Sequence, residues 1–367
     1  MTSGFNRIDA VAPGAPALAG FGLTPIGVRT LSLINPDQID LTDPALPRRD
    51  RALTVELWYP ALPGTAQGGV YDTMLRDGIT PLRLTGRAAR DATAAEGDFP
   101  LVILSHGYPG NRMLMAHFGE TLASRGFRVA SINHRDSTYS DKKALISTLV
   151  NRPLDTRFVA DQIGCARYAI IGYSMGGYGA LVAGGAAVSE AALAMEPYGG
   201  EALAMHRAPW ADPKLHAIIP IGPWGRQRDL WDAGGLAGLR VPMLLMAGSA
   251  DTVSGYDTGM RLIFEEAVSV KRHLLTFEGA GHNAAAPYPA PRESFTASPA
   301  LDFLPAEHYA DPIWDTVQMN GIAQHFAAAF LGLYLQDDCA MKPYLAPGFA
   351  GFKPGTAEGL RLETLTP

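Results

Sequence analysis

The stretch Tyr168-Ala-Ile-Ile-Gly-Tyr-Ser-Met-Gly-Gly-Tyr-Gly-Ala-Leu-Val-Ala183 decides the fold. Tyr168 to Ile171 is an apolar run of the length expected for a strand buried on both faces, and Gly177 to Ala183 is a run of small and apolar residues suited to a closely packed helix. Between them stands Gly172-Tyr173-Ser174-Met175-Gly176. A turn that passes from strand to helix in so few residues is crowded, and glycines two positions either side of the serine let neighbouring backbone approach. The serine hydroxyl is then held at a helix N-terminus, facing a cleft. A five-residue pattern is weak evidence alone; the strand before it and the helix after it supply the weight.

Working outward, short apolar runs at Leu101–Leu104, Arg128–Ile132, Ala217–Ile221, Val241–Met246 and His273–Phe277 repeat the Tyr168–Ile171 theme. Segments of helical period, Met113–Ser124 and Met260–Val268, lie between them, and a final helix is expected from Asp311-Pro312 to about Leu335. Alternation of this kind predicts an α/β fold, a mostly parallel sheet with helices on both faces. Val28–Ile34 and Ala52–Tyr59 read as antiparallel leading strands. We expect one domain over residues 1–367, with an extended segment at 1–23 and a C-terminal tail at 336–367. Three connections, 136–157, 188–214 and 283–310, are too long for turns, and the last two read as cap-like loops over a site at the strands' carboxyl ends.

A serine hydroxyl attacks a carbonyl only if a base takes its proton, and histidine is the base matched to neutral pH. For a nucleophile on such a turn the chain order is serine, acid, histidine. His206 and His216 precede the expected acid, His273 lies in a strand pattern, and His308 and His325 belong to the last loop and helix. His282, in Glu278-Gly-Ala-Gly-His282 after the last parallel strand, remains as the general base. Asp251, after the strand at Val241–Met246, is the expected orienting acid, with Asp257, Asp232 and Glu278 as rivals. The oxyanion of an attacked carbonyl needs backbone donors. They are assigned to the amides of Met175 and, in the loop Ser105-His-Gly-Tyr-Pro-Gly110, of Tyr108. His106 reads as structural. Tyr108, Tyr173, Trp210, Trp224 and Tyr288 are read as substrate-binding, with Met195, Tyr198, Trp231, Phe295 and Phe303 as further wall candidates. Arg112 and Arg135 are the cations considered for a substrate carboxylate.

At these residues the chain resembles the α/β-hydrolases, and within them the serine-dependent relatives of dienelactone hydrolase, the branch with plasma-type platelet-activating-factor acetylhydrolases and bacterial polyester and phthalate esterases. The resemblance covers about residues 24 to 335. It rests on Leu53-Thr-Val-Glu-Leu-Trp-Tyr-Pro60, Ser105-His-Gly-Tyr108, Asn133-His-Arg-Asp-Ser-Thr-Tyr139, Arg152-Pro-Leu-Asp155 with Phe158-Val-Ala-Asp-Gln162, the serine turn, and Gly279-Ala-Gly-His282. It implies a Ser174, Asp251, His282 triad, the same two oxyanion amides, and neither a metal nor an organic cofactor. Dienelactone hydrolase itself has cysteine where this chain has Ser174, and platelet-activating-factor enzymes often read His-Ser-Phe where it has Tyr173-Ser174-Met175. A carboxylic-ester hydrolase working through an acyl-enzyme on a small to medium apolar or aromatic ester is the expected activity. Amidases, cofactor-free perhydrolases or haloperoxidases, and non-catalytic binding proteins share the fold.

Composition narrows the rest. A net charge of −6 with scattered basic residues lacks the footprint a nucleic acid requires. No apolar run reaches the length of a membrane span, and Val11–Leu23 is broken by prolines and glycines, so neither a span nor a secretory leader is expected and a cytoplasmic protein is the default reading. The two cysteines, Cys165 and Cys339, read as buried free thiols, with a lone disulfide as the alternative. Oligomeric state leaves no mark in the sequence.

Overall fold

The computed structural model describes residues 6–142, 145–194, 200–210 and 212–367. The leading strands β1 (Ile26–Ile39) and β2 (Arg48–Pro60) pair antiparallel. A hairpin of β3 (Gly69–Met74) and β4 (Pro81–Gly86) stands apart from the main sheet, followed by the short β5 (Ala89–Arg90). Then come β6 (Leu101–Ser105), β7 (Arg128–Asn133), β8 (Tyr168–Tyr173), β9 (Leu215–Ile221), β10 (Met243–Gly248), β11 (Arg272–Phe277) and β12 (Leu360–Leu365). The main sheet has the order β12-β11-β10-β9-β8-β6-β7-β2-β1-β5, with β6 to β11 parallel.

Every residue of β6, β8, β10 and β11 is buried, and the pleat sends alternate side chains to opposite faces. Val102 and Leu104 face one core, with Phe118 of α1 (Ala116–Ala123) and Phe326 and Phe330 of α8 (Thr316–Leu335). Leu101 and Ile103 face the other, with Val159 of α2 (Leu145–Ile163), Leu181 of α3 (Met175–Ala183) and Phe264 of α7 (Leu262–Glu266). Short helices α4 (Glu190–Leu193), α5 (Gly200–Ala204) and α6 (Ala233–Leu236) lie between β8 and β10. Because β6 sits between β7 and β8, the chain leaves β6 to one side and returns on the other. That reversal opens a crevice at the carboxyl ends of β6 and β8, where Ser105 is paired in register with Gly172.

Several expectations need correction. The last helix starts at Thr316, not at Asp311-Pro312: Asp315 accepts the Gln318 amide as its N-cap, whereas Asp311 caps the preceding turn through the amides of Ile313 and Trp314. Much of the 136–157 connection is α2, whose helical period was hidden because its buried face carries Asn151, Arg152 and Asp155 and a proline, Pro153. The C-terminal tail ends in β12, an edge strand antiparallel to β11.

Four fully enclosed histidines tie this fold to pH. Burial holds the imidazoles of His117, His273 and His325 down at about 4, and burial with the Arg152 charge holds His134 at about 3. The unfolded chain takes up these protons near the ordinary value of about 6.5, so between there and about 4 it binds more protons than the folded chain. Stability is therefore expected to fall as pH drops through that window, by about 1 kcal/mol per histidine at about pH 5.5. Urea melts at about pH 7.5 and about pH 5.5 measure it, and coincident midpoints would contradict it.

Candidate active site

Ser174 occupies the turn between β8 and α3 with φ 52° and ψ −112°, a left-handed backbone that a residue with a Cβ rarely adopts. Its amide donates to the Ile221 carbonyl at 2.9 Å, and its own carbonyl accepts the amides of Tyr178 at 3.0 Å and Trp224 at 3.2 Å, so the strain is held from three sides. The flanking glycines are sterically required. A Cβ at Gly172 would stand 2.1 Å from the Gly176 carbonyl oxygen, and one at Gly176 would stand 1.9 Å from that of Ser105.

The chain brings His282 and Asp251 to this serine from loops after β11 and β10. His282 Nε2 lies 3.0 Å from Ser174 Oγ, and His282 Nδ1 lies 2.8 Å from Asp251 Oδ2. A carboxylate only accepts, so Nδ1 carries the proton and Nε2 is left to accept from the serine hydroxyl. Asp251 is almost fully buried, and its other oxygen accepts the amides of Val253 at 2.8 Å and Ser254 at 2.9 Å. The two loops are stitched together: Ala250 donates to the Ala280 carbonyl, and a Cβ at Gly248 would collide with the carbonyls of Ala280 and Gly281. Of the rival acids, Asp232 caps α6, Glu278 stands opposite Arg361, and Asp257 is exposed in the helical turn Tyr256–Arg261.

Ser174 opens onto a cavity of about 510 Å³, lined among others by Gly107, Tyr108, Tyr173, Met175, Trp224 and Phe303. As the first residue of α3, Met175 has an amide with no acceptor inside its helix. Tyr173 is packed beside the His282 ring at 5.2 Å, and its hydroxyl donates to Asn283. Two expected binding residues are absent from this wall. Tyr288 is buried and stacked on Tyr309, and Trp210 is half-buried in the core beyond β8 with Arg157 over its ring. Trp231 is likewise core, stacked on Tyr178, and Phe295 is exposed on the surface. Met195 and Tyr198 lie outside the described residues. Sequence reasoning missed Arg76, Asn283, Glu307 and His308, which all line the cavity, because they arrive from the β3–β4 turn and the 283–310 connection.

Beneath the Tyr108 loop lies a sealed polar cluster. Arg51 is paired with Asp155 at 2.8 Å and with Asp136 at 2.8 Å, and Asp155 in turn accepts from His134 Nδ1 at 3.0 Å. Burial works to raise the Asp155 carboxyl, but the Arg51 charge and the His134 bond overcome it and hold it at about 2. Ser105 donates to His134 Nε2 at 2.9 Å and accepts from Arg152, which also donates to the carbonyls of His106 and, at 2.9 Å, Gly107. In a trans peptide the carbonyl and the next amide point in opposite directions. Arg152, by holding the Gly107 carbonyl inward, turns the Tyr108 amide the other way. His106 accepts the His134 amide and makes no hydrogen bond to Ser174, in keeping with a structural role.

A family model described as the alpha/beta hydrolase fold matches residues 100–191. Ferulic acid esterase from Streptomyces cinnamoneus superposes with a TM-score of 0.67 over 99% of this chain and 100% of its own, at 20% identity. The fold is that of the α/β-hydrolases. Cutinase 1 of Thermobifida cellulosilytica is 28% identical over 190 residues, 50% of this chain and 60% of its own length. A cutinase of Thermobifida fusca (strain YX) is 28% identical over the same share of this chain and 52% of its own. The chain thus spans little more than half the length of these relatives. On the α/β-hydrolase scaffold Ser174 sits at the turn after a central strand, beside the crevice where the strand order reverses. Among the described residues no helix is long and apolar enough to cross a membrane, and no group of three His, Cys, Asp or Glu side chains is placed to hold a metal.

Proposed function

We propose that this α/β-hydrolase cleaves carboxylic esters of small to medium size with an apolar or aromatic part, by way of an acyl-enzyme. The observation that carries the reading is the unbroken Asp251, His282, Ser174 hydrogen-bond chain ending on a strained serine in an aromatic-walled cavity. Ser174 attacks the ester carbonyl while His282 Nε2 takes its proton, and Asp251 stabilises the imidazolium that results. The amides of Met175 and Tyr108 receive the developing oxyanion, His282 returns the proton to the leaving alcohol, and a water activated by the same imidazole releases the acid. Cutinases and a ferulic acid esterase among the similar proteins favour ester over amide or peracid chemistry. The motif set at Arg152–Asp155 and Asn133–Tyr139 supports a finer place in the serine-dependent dienelactone-hydrolase branch. Neither the fold nor these relatives lends support to the cytoplasmic expectation.

Turnover of p-nitrophenyl esters of graded acyl length, with Ser174→Ala alongside, tests the reading. Hydrolysis by the parent chain and its loss in the variant are expected. A parent chain that turns over no ester and takes no fluorophosphonate label at Ser174 would rule it out.

A further inference from the structure

The wall of the cavity holds a cation without a counter-ion. Arg76 sits in the six-residue connection of the β3–β4 hairpin, Leu75 to Thr80, and lines the same cavity as Ser174 and His282. The turn is firmly built: Leu75 donates to the Thr80 carbonyl, and Asp77 accepts from the amides of Ile79 and Thr80 and from the hydroxyls of Thr80 and Ser298. Asp77, the nearest acid in sequence, is therefore spent on the turn. The guanidinium of Arg76 lies 5.7 Å from the Tyr139 ring centre and 5.6 Å from that of Phe303, and its Nε and Nη1, both buried, find no acceptor among the described residues. Among the described ion pairs none includes Arg76. Glu307, the carboxylic acid of the lining, accepts the Leu304 amide at 3.0 Å and is not paired with Arg76 among the described ion pairs. The cations considered from the sequence are engaged elsewhere, Arg112 with Glu56 and Arg135 beside Asp136, and neither lines the cavity.

Aromatic faces hold a guanidinium in place and leave its charge uncompensated. A cation at the protein wall of a cavity attracts an anion more strongly than one in bulk water, and a carboxylate on the substrate is such an anion. We propose that Arg76 is the anion-binding subsite of this cavity and that the preferred substrate is an ester carrying a free carboxylate on the same molecule, a half-ester of a dicarboxylic acid. The proposal rests on the ester-hydrolase reading for its activity readout, and on binding alone for a second one.

The activity readout is the ratio of kcat/KM for methyl half-esters of adipate, suberate and terephthalate to that for the matching esters whose free acid is a carboxamide. At one spacing at least, the parent chain is expected to favour the carboxylate by about tenfold or more, with Arg76→Met bringing the ratio towards one and Arg76→Lys retaining part of it. No carboxylate preference at any spacing, a preference that survives Arg76→Met, or an equal loss on both members of each pair would overturn the proposal. The binding readout uses Ser174→Ala: terephthalate is expected to raise its melting temperature, and to lose that effect when Arg76→Met is added. Should the parent chain hydrolyse neither member of any pair, the ester-hydrolase reading fails, and terephthalate binding still decides the role of Arg76.

Discussion

Ser174→Ala is expected to lower kcat for p-nitrophenyl ester hydrolysis by about 10⁴- to 10⁶-fold, the range over which removal of a triad nucleophile leaves only the oxyanion donors and binding at work. The fold should survive, because alanine keeps the Cβ and the three backbone bonds that hold residue 174, to Ile221, Tyr178 and Trp224, do not involve the hydroxyl. A companion variant separates chemistry from strain. Ser174→Gly should be as inactive yet more stable than Ser174→Ala by about 1 kcal/mol, since glycine adopts a positive φ without the Cβ penalty that the native φ of 52° imposes. Comparison of the two melting curves measures that strain. An alanine variant that keeps appreciable turnover would remove Ser174 from the chemistry altogether.

Asp251→Asn is expected to cost about 10⁴-fold in kcat while binding of substrate is largely preserved. The reason lies in what each oxygen does. Oδ1 accepts two amides, from Val253 and Ser254, and Oδ2 accepts the proton on His282 Nδ1. Asparagine has one acceptor oxygen and one donor NH₂. The two amides claim the oxygen, so the NH₂ is turned to His282 Nδ1, which must then accept. The imidazole takes the other tautomer, Nε2 acquires a hydrogen pointing at Ser174 Oγ, and the serine proton has nowhere to go. Steady-state kinetics on the ester series checks this, and a loss of tenfold or less would show that the carboxylate does not set the tautomer.

The sealed cluster shows why hydrogen-bond geometry is a poor guide by itself. Ser105, His134 and Asp155 form a second Ser, His, Asp chain with distances of 2.9 Å and 3.0 Å, nearly those of the Ser174 chain. All three side chains are buried, Ser105 also accepts from Arg152, and none of them lines the cavity at Ser174. The chain at Ser174 differs in access, in the left-handed serine backbone and in the free helix N-terminus beside it. What the sealed chain contributes is position, fixing the loop that carries Tyr108.

Much of this molecule is written locally. A strand buried on both faces must be an apolar run, and a strand-to-helix turn this tight must have glycine at 172 and 176, so the sheet, the serine turn and the loop position of His282 follow from residue order alone. Asp251 was nominated for the same reason, as an acid at the carboxyl end of a strand run, with Asp257, Asp232 and Glu278 left as rivals. Elements whose buried face is polar or whose partners are remote were not. Helix α2 hides its period behind Arg152 and Asp155: Arg51 from β2 and His134 after β7 make the burial of Asp155 tolerable, and Asp155 with the carbonyls of His106 and Gly107 does the same for Arg152. Strand β12 is an edge strand that finds its place only against β11. The cavity wall is the extreme case. Arg76, Tyr173, Trp224 and His308 belong to four segments with no shared local pattern, and an aromatic residue looks the same in sequence whether it lines a cavity, as Trp224 does, or fills a core, as Tyr288 does. Sequence by itself determined the fold and the serine turn, and it nominated His282 and Asp251 with rival acids left open. Which groups face the substrate was decided only by tertiary structure, because that is a property of how distant loops pack over the crevice.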